Sequence, residues 1–406
     1  MQVTTNNPSC PVCGGQSSAP LTSLERVPAT CNVLWPNERE AREAALGDIE
    51  LVACADCGFV WNWAFQPELV DYSQRYENCL AFSRVFADYS QELARRLVDR
   101  HDLRGKRIVE VGAGSGEFLA LLCALGGNRG IGFDPSYDVD QAHRPPDLEI
   151  IAEEFPPSRP TTADFVVCRH VLEHIDLPGS VLEAIVRSVH APPRRRQVRA
   201  YVEVPNAAYM FRRRMVWDVI YEHCGYFSAP NLQLLVERAG SSVLGVGASY
   251  GGQYLWVELE VGDQSGSIDA PTGGAEEVVA AAIAFGAAFD ETIAGWTDRV
   301  HDLSDGGEVV AWGAGSKGVM FCNLVGAGRI ARIVDASPRK HGLFVPGSAQ
   351  EVIPPDALVE LRPRHVVAMN PLYVGEIRAT LAGLGLECNV VAADSDETRG
   401  ALTRLA

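Results

Sequence analysis

The stretch Val109-Glu110-Val111-Gly112-Ala113-Gly114-Ser115-Gly116-Glu117-Phe118 decides the fold. A short apolar run, a turn of alternating glycines and a helical pattern read as a strand, a turn and a helix, the opening unit of a nucleotide-type fold. Small residues let backbone approach a ligand, and the helix start presents amides that have no partner within the helix. The next apolar run, Gly130-Ile131-Gly132-Phe133, ends at Asp134. An acid ending the second strand accepts hydrogen bonds from both hydroxyls of a ribose. The third glycine, Gly116, comes one residue too early for the dinucleotide pattern, which argues against NAD at this turn.

Outward from this turn, residues 105–262 alternate strands and helices. Expected strands cover 107–111, 129–133, 148–151, 164–168, 200–204, 243–247 and 254–260. Crossover helices between them imply a largely parallel sheet covered on both faces. Upstream, Phe82, Val85, Phe86, Tyr89, Leu93 and Leu97 recur at helical spacing and place a helix that runs into the first turn. Residues 263–276, rich in Gly, Ser, Asp and Pro, read as a linker, followed by a single helix from near Glu276 to Leu303. A second strand–turn–helix unit then begins at Val309-Val310-Ala311-Trp312-Gly313-Ala314-Gly315-Ser316-Lys317-Gly318, with strands expected at 308–312, 331–334, 364–368 and 388–391. Its spacing suits a dinucleotide. Lys317 and Pro338-Arg339-Lys340 equally suit a substrate diphosphate, and a degenerate unit that only packs also fits.

The N-terminal residues carry two knuckles, Cys10-Pro11-Val12-Cys13 and Cys54-Ala55-Asp56-Cys57, each followed by glycine. Two-residue spacing lets both sulfurs of a knuckle bind one ion, and four thiolates in a tetrahedron suit a structural zinc with no open position. Residues 1–70 otherwise look too slight in core to stand without such a staple. The fold class expected is therefore α/β, with a four-cysteine zinc module at 1–70, a central Rossmann-like domain at 71–262 and a second Rossmann-like domain at 277–406.

Bulk properties narrow the function. A formal charge of −17 in 406 residues argues against a nucleic-acid backbone as partner. The Arg194-Arg195-Arg196 run after Pro192-Pro193 reads as a solvated loop. No charged start with an apolar core marks a signal peptide, and no apolar run nears the roughly 20 residues that span a bilayer. Eleven cysteines without a secretion signal point to a reducing cytoplasm. A cytoplasmic enzyme is expected, monomeric or weakly dimeric, since nothing suggests a coiled-coil or extended interface helix.

The Glu110-x-Gly112-x-Gly114-x-Gly116 turn resembles motif I of class I methyltransferases, and Asp164-Phe165-Val166-Val167-Cys168-Arg169-His170-Val171-Leu172-Glu173-His174 resembles their fourth strand and its continuation. That resemblance implies S-adenosylmethionine held by Glu110, the three glycines and Asp134, with His170 close by. Taken with the cysteine module, Asp335-x-x-Pro338-x-Lys340 and Val345-Pro346-Gly347, nearly the whole chain resembles the zinc-containing sugar C-methyltransferases, which methylate C3 of TDP-linked 4-keto-deoxysugars. The family's Tyr-His-Glu-His before Tyr-Phe-Ser is matched by Ile220-Tyr221-Glu222-His223-Cys224-Gly225-Tyr226-Phe227-Ser228, either one residue short or with Ile220 at the family's first tyrosine and Tyr221 in place of a histidine. The resemblance implies Tyr221, Glu222, His223 and His174 in catalysis and a nucleotide-sugar substrate. Tyr72 and Tyr76 lie where the family has its tyrosine-serine signature, and Tyr76, Lys317 and Lys340 are the expected substrate contacts. An O-, N- or C-methyltransferase acting on another small carbonyl metabolite is the alternative.

The residue types suit such chemistry. Methylating carbon beside a carbonyl requires removing a proton, stabilising an enolate and aligning the carbon with the methyl group. A histidine titrates near neutrality and serves as base, a carboxylate such as Glu222 orients it, and tyrosine hydroxyls donate to an enolate oxygen.

Overall fold

A computed structural model describes residues 9–70, 82–137, 147–157, 160–191, 197–262, 274–326 and 328–393. Tyr72, Tyr76 and the Arg194–Arg196 run lie outside them.

The central sheet has seven strands. In spatial order they are Ser242–Ser249, Tyr254–Glu260, Arg199–Pro205, Phe165–Arg169, Arg107–Val111, Arg129–Phe133 and Leu148–Ile151. Tyr254–Glu260 runs antiparallel to both neighbours, and the other pairings are parallel. Phe165–Arg169 is buried at every residue, as expected of a central parallel strand covered by helices on both faces. The helix Arg84–Arg100 is capped by Ser83, whose hydroxyl accepts from the Phe86 amide. It buries Leu93, Ala94, Leu97 and Val98 against the sheet.

The C-terminal domain holds a five-stranded parallel sheet, ordered Val352–Ile353, Ile330–Val334, Val309–Trp312, His365–Ala368 and Asn389–Ala392. The two-residue strand Val352–Ile353 was not expected from sequence. The helix expected over 276–303 is two helices, Ala275–Ala287 and Phe289–Asp305, bent by 45°. Two residues before the break, Gly286 lies on the Leu21 backbone, where a Cβ would come within 2.5 Å of the carbonyl oxygen. Both helices turn apolar residues inward, Phe285, Phe289 and Trp296 among them. No single helix among the described residues is long and apolar enough to cross a membrane.

The N-terminal strands Ser18–Pro28, Leu46–Cys54 and Val60–Asn62 form an antiparallel sheet. Its fourth strand, Gly225–Tyr226, comes from the central domain. The module also shares a core: Ile49, Leu51, Trp217, Tyr221, Trp296 and Phe321 belong to one buried cluster. What looks coreless in sequence draws its core from the other two domains, and so fixes residues 217–226 between all three.

Candidate active site

The four knuckle sulfurs lie within 4.8 Å of one another, with Cys10 Sγ 3.6 Å from Cys57 Sγ and Cys13 Sγ 3.5 Å from Cys54 Sγ. Gly14 and Gly58 take positive φ of 76° and 72°, which glycine adopts without strain, and their amides donate to the Cys10 and Cys54 carbonyls. The Gly15 amide donates to Cys13 Sγ at 3.3 Å. Burial, with the neighbouring Cys10 and Cys13, pushes the Cys54 thiol up to about 12 against its backbone hydrogen bonds, while the hydrogen bond from Cys57 lowers Cys10 to about 5. A closed set of four sulfurs fits a tetrahedral structural zinc; it offers no place for substrate.

At the first glycine turn, Gly112, Gly114 and Gly116 all have positive φ. A Cβ on Gly112 would overlap Val171, and one on Gly116 would overlap Ile150, so side chains are excluded by conformation and by space. Asp134 Oδ2 accepts the Gly114 amide at 2.7 Å and Oδ1 accepts the Ser136 amide at 2.8 Å. Its carboxylate thus sits directly over the turn, half-buried. Glu110 is enclosed, and burial raises it to about 8 although the Arg169 charge opposes.

His170 follows the central strand with φ of 56°. Its ring nitrogens lie 3.5 Å from Glu173 Oε1 and from Glu203 Oε1, and its ring meets Tyr254 edge-on at 4.5 Å. Burial works against its charged form, but the two carboxylates outweigh burial and raise its pKa. Glu203 anchors a network that the sequence reading did not name. It accepts from Arg169 Nε at 2.9 Å, from Tyr201 at 2.7 Å, from Ser249 at 3.1 Å and from Tyr89. Arg169 and Glu203 face one another in register on adjacent strands. The signal was a charged residue in each of two apolar runs, Arg169 closing one and Glu203 within the other. Tyr89, Tyr250 and Tyr254 stack beside this network, and Tyr250 donates to Tyr373 of the C-terminal domain at 2.7 Å.

The structure brings His174 and His223 together, rings 4.8 Å apart and edge to face. His174 bonds the Glu222 carbonyl; burial lowers its pKa. His223 is lowered further, by burial first and then by the charges of His174, His170 and Lys317. Burial thus favours the neutral form of both imidazoles.

Glu222 and Tyr221 face away from His223. Glu222 Oε1 accepts the Cys31 amide at 3.0 Å and the Asn32 amide at 3.5 Å, and burial pushes its carboxyl up to about 8. The Tyr221 hydroxyl accepts from the Gln66 amide at 2.8 Å, and its ring lies against Gly47, where a Cβ would overlap it. In this arrangement the carboxylate expected to orient the base and the hydroxyl expected to meet an enolate instead tie the His223 loop to the N-terminal module.

Lys317 reaches into the central domain, its Nζ 2.9 Å from Asp218 Oδ1 and 3.4 Å from Gln253 Oε1. Lys340 does not line an open groove. It is buried, with Nζ donating to the Ala314 carbonyl at 3.1 Å and to Asp335 Oδ2 at 3.4 Å. The expectation of Lys340 as a phosphate contact gives way to an internal role, because its charge is spent on the acid of its own turn.

Fold and site together define a methyltransferase fused to a second Rossmann-like domain. Residues 82–245 match the family described as a methyltransferase domain, and residues 279–386 match the C-methyltransferase C-terminal domain. The chain is an enzyme, a methyltransferase that carries a C-methyltransferase C-terminal domain. The search of curated proteins finds no match. Among solved structures, the chain is similar to the 1,6-didemethyltoxoflavin-N1-methyltransferase of Burkholderia thailandensis. That match is 18% identical over 44% of this chain and 82% of the other, with a TM-score of 0.35. It is similar also to the magnesium protoporphyrin IX methyltransferase of Synechocystis PCC 6803, at 12% identity over 44% and 80% of the two chains, TM-score 0.33. A methyltransferase of Mesorhizobium loti aligns at 12% identity over 43% and 99%, TM-score 0.36. Likeness this distant carries no argument about activity.

Proposed function

We propose that the enzyme methylates a carbon next to a carbonyl on a nucleotide-linked keto sugar, with His223 as the base and S-adenosylmethionine as the methyl donor. The observation that carries this is the His174–His223 pair. Two imidazoles pack edge to face, His174 in the turn that follows the central strand and His223 in the loop before Gly225–Tyr226. A neutral imidazole accepts a proton, whereas an imidazolium does not. His174, fixed by the Glu222 carbonyl, sets the position of the His223 ring against which it packs.

Within this reading the Gly112–Gly116 turn and the start of helix Glu117–Gly126 hold the methionine end of the cofactor, and Asp134 holds the ribose. One zinc held by Cys10, Cys13, Cys54 and Cys57 keeps the N-terminal sheet in register with Gly225–Tyr226, and so fixes the His223 loop. The sugar-nucleotide assignment is supported by the second glycine turn, whose helix start bonds Asn32 and Asp218 across the domain boundary.

The test is incubation with S-adenosylmethionine and a panel of nucleotide-linked 4-keto-deoxysugars, with products read by mass spectrometry and NMR. The expected product gains one methyl on the carbon beside the carbonyl. Methylation confined to oxygen or nitrogen acceptors would replace this reading with the alternative.

A further inference from the structure

Two buried carboxylates flank His170, and only one of them is supplied with donors. Glu203 accepts from Arg169 Nε at 2.9 Å, from Tyr201 at 2.7 Å, from Ser249 at 3.1 Å and from Tyr89. Glu173 sits in the single turn Leu172–His174 after the central strand and is 1% exposed. Neither of its oxygens receives a hydrogen bond among the described residues. His170 Nδ1 lies 3.5 Å from its Oε1, on a ring that Glu203 shares. A carboxylate kept from water without donors is costly, so its presence there calls for a cause.

The same carboxylate adjoins the histidine pair. One Glu173 oxygen and one nitrogen each of His174 and His223 all lie within 4.8 Å of one another. The His174 ring is itself held by the Glu222 carbonyl and packs edge to face on His223. Glu222, the acid next to His223 in sequence, turns its carboxyl to the Cys31 and Asn32 amides instead. An opposite charge within about 4–6 Å favours the charged form of a titratable group. At such a distance a carboxylate acts by its charge, on an imidazole that has taken a proton.

Resting on the reading of His223 as the base, we propose that Glu173, and not Glu222, is the positioning residue of the proton-transfer step, its carboxylate holding the imidazolium that forms on His223. His223 takes the proton from the carbon beside the carbonyl. The C–H electron pair forms the carbon–carbon double bond of the enolate, and the carbonyl pair moves to oxygen. The positive charge then on His223 is met by the Glu173 carboxylate. The enolate carbon bonds the methyl carbon of S-adenosylmethionine, the S–CH3 pair stays on sulfur as S-adenosylhomocysteine leaves, and the carbonyl re-forms. The proton on His223 passes to water, and Glu173 ends the cycle as it began, a carboxylate.

The experiment compares wild type, Glu173→Gln and Glu173→Asp with a TDP-linked 4-keto-deoxysugar at saturating S-adenosylmethionine. It measures kcat and KM for methylation, and deuterium uptake from solvent at the carbon beside the carbonyl with S-adenosylhomocysteine bound. Glu173→Gln keeps the shape and removes the charge. It is expected to lose about 100-fold in kcat and in deuterium uptake, with KM within a few-fold. Glu173→Asp keeps the charge and is expected to recover part of both. Rates in Glu173→Gln within a few-fold of wild type overturn the proposal. So does a loss that Glu173→Asp leaves in full, since charge is then not what the site needs. The same loss in His170→Gln makes Glu173 a support for His170, and a second metal ion per chain that Glu173→Gln loses makes it a metal ligand; either result also overturns the proposal. Should Glu173→Gln not fold, Glu173→Met, which leaves no buried amide to satisfy, is read by the same criteria. Absence of deuterium uptake and methylation in the wild type sinks the underlying C-methylation reading instead, so the two failures are separable.

Discussion

At the first glycine turn Asp134 receives the amides of Gly114 and Ser136; at the second, Asp335 receives those of Ala314 and Ser337. In each, an apolar strand leads into the turn, a helix follows, and the acid ending the next strand reaches back over it. The two differ in what else meets the acid. Among the described residues Asp134 has no cation in its hydrogen bonds, and Gly112, Gly114 and Gly116 all take positive φ beneath it. Asp335 carries the buried ammonium of Lys340, which also bonds the Ala314 carbonyl. At the second turn Gly318 is pressed on the Gly313 carbonyl, where a Cβ would overlap. The same construction thus leaves the first acid available to a ribose and closes the second with the protein's own charge. The outward-facing part of the second turn is instead its helix start, Ser316 and Lys317, which bond across the domain boundary.

The sharpest way to break this comparison is to add a side chain at each turn. Gly112→Val, strained at φ of 69° and overlapping Val171, is expected to abolish S-adenosylhomocysteine binding, a loss of about 100-fold or more by titration calorimetry. Gly315→Ala meets nothing within 4 Å and leaves cofactor affinity unchanged within about two-fold, at a stability cost of about 1 kcal/mol or less at the helix N-cap. Equal effects at the two turns would erase the distinction.

Removing the acids separates binding from stability. Asp335→Asn leaves the Lys340 charge buried without its counter-ion, and is expected to destabilise by about 3 kcal/mol in denaturant unfolding with cofactor affinity intact. Asp134→Asn should behave in the opposite way, weakening cofactor about 10-fold with little loss of stability. A stability loss at Asp134 as large as that at Asp335 would mean that both acids serve the fold.

Metal analysis of the wild type is expected to find one zinc per chain, and Cys54→Ser to lose it and to lower activity through the Val60–Asn62 to Gly225–Tyr226 pairing. A folded, fully active protein without metal would remove the structural-zinc assignment.

The smallest effect expected is in pH dependence. His223 is depressed in the folded state, so the unfolded chain binds the extra proton first. Its contribution to stability is complete above the ordinary histidine value of about 6.5 and declines as pH falls below it. His174, also depressed, adds in the same direction. His170 is raised and acts oppositely, its contribution being lost as pH rises through its folded value. Activity should hold through neutrality and fall only well to the acid side of the ordinary histidine range; a limb centred above neutrality would contradict a neutral His223.

Much of this architecture was legible. The strands around both turns are apolar runs bounded by glycine or by a charged residue, and observed ends differ from expectation by a residue or two, as at Phe165–Arg169 and Ile330–Val334. Four cysteines in two knuckles announced their own cluster. What was not legible depends on contacts distant in sequence. That the Tyr221 hydroxyl meets Gln66, and that Glu222 meets Cys31 and Asn32, follows only once the N-terminal sheet takes Gly225–Tyr226 as its fourth strand. The burial of Lys340 is equally hidden, since a basic residue after a glycine turn reads as a ligand contact until its own acid is seen beneath it. The pairing of His174 with His223 spans two separate loops, and no local periodicity encodes it.

The central claim is that His223 removes a proton from the carbon beside the substrate carbonyl. Its most direct test is solvent-deuterium uptake at that carbon, measured by NMR with S-adenosylhomocysteine bound, in the wild type and in His223→Ala. The account predicts uptake in the wild type and none above background in the variant, with cofactor affinity and melting temperature preserved. Uptake at the wild-type rate in a folded, cofactor-binding His223→Ala protein would contradict it.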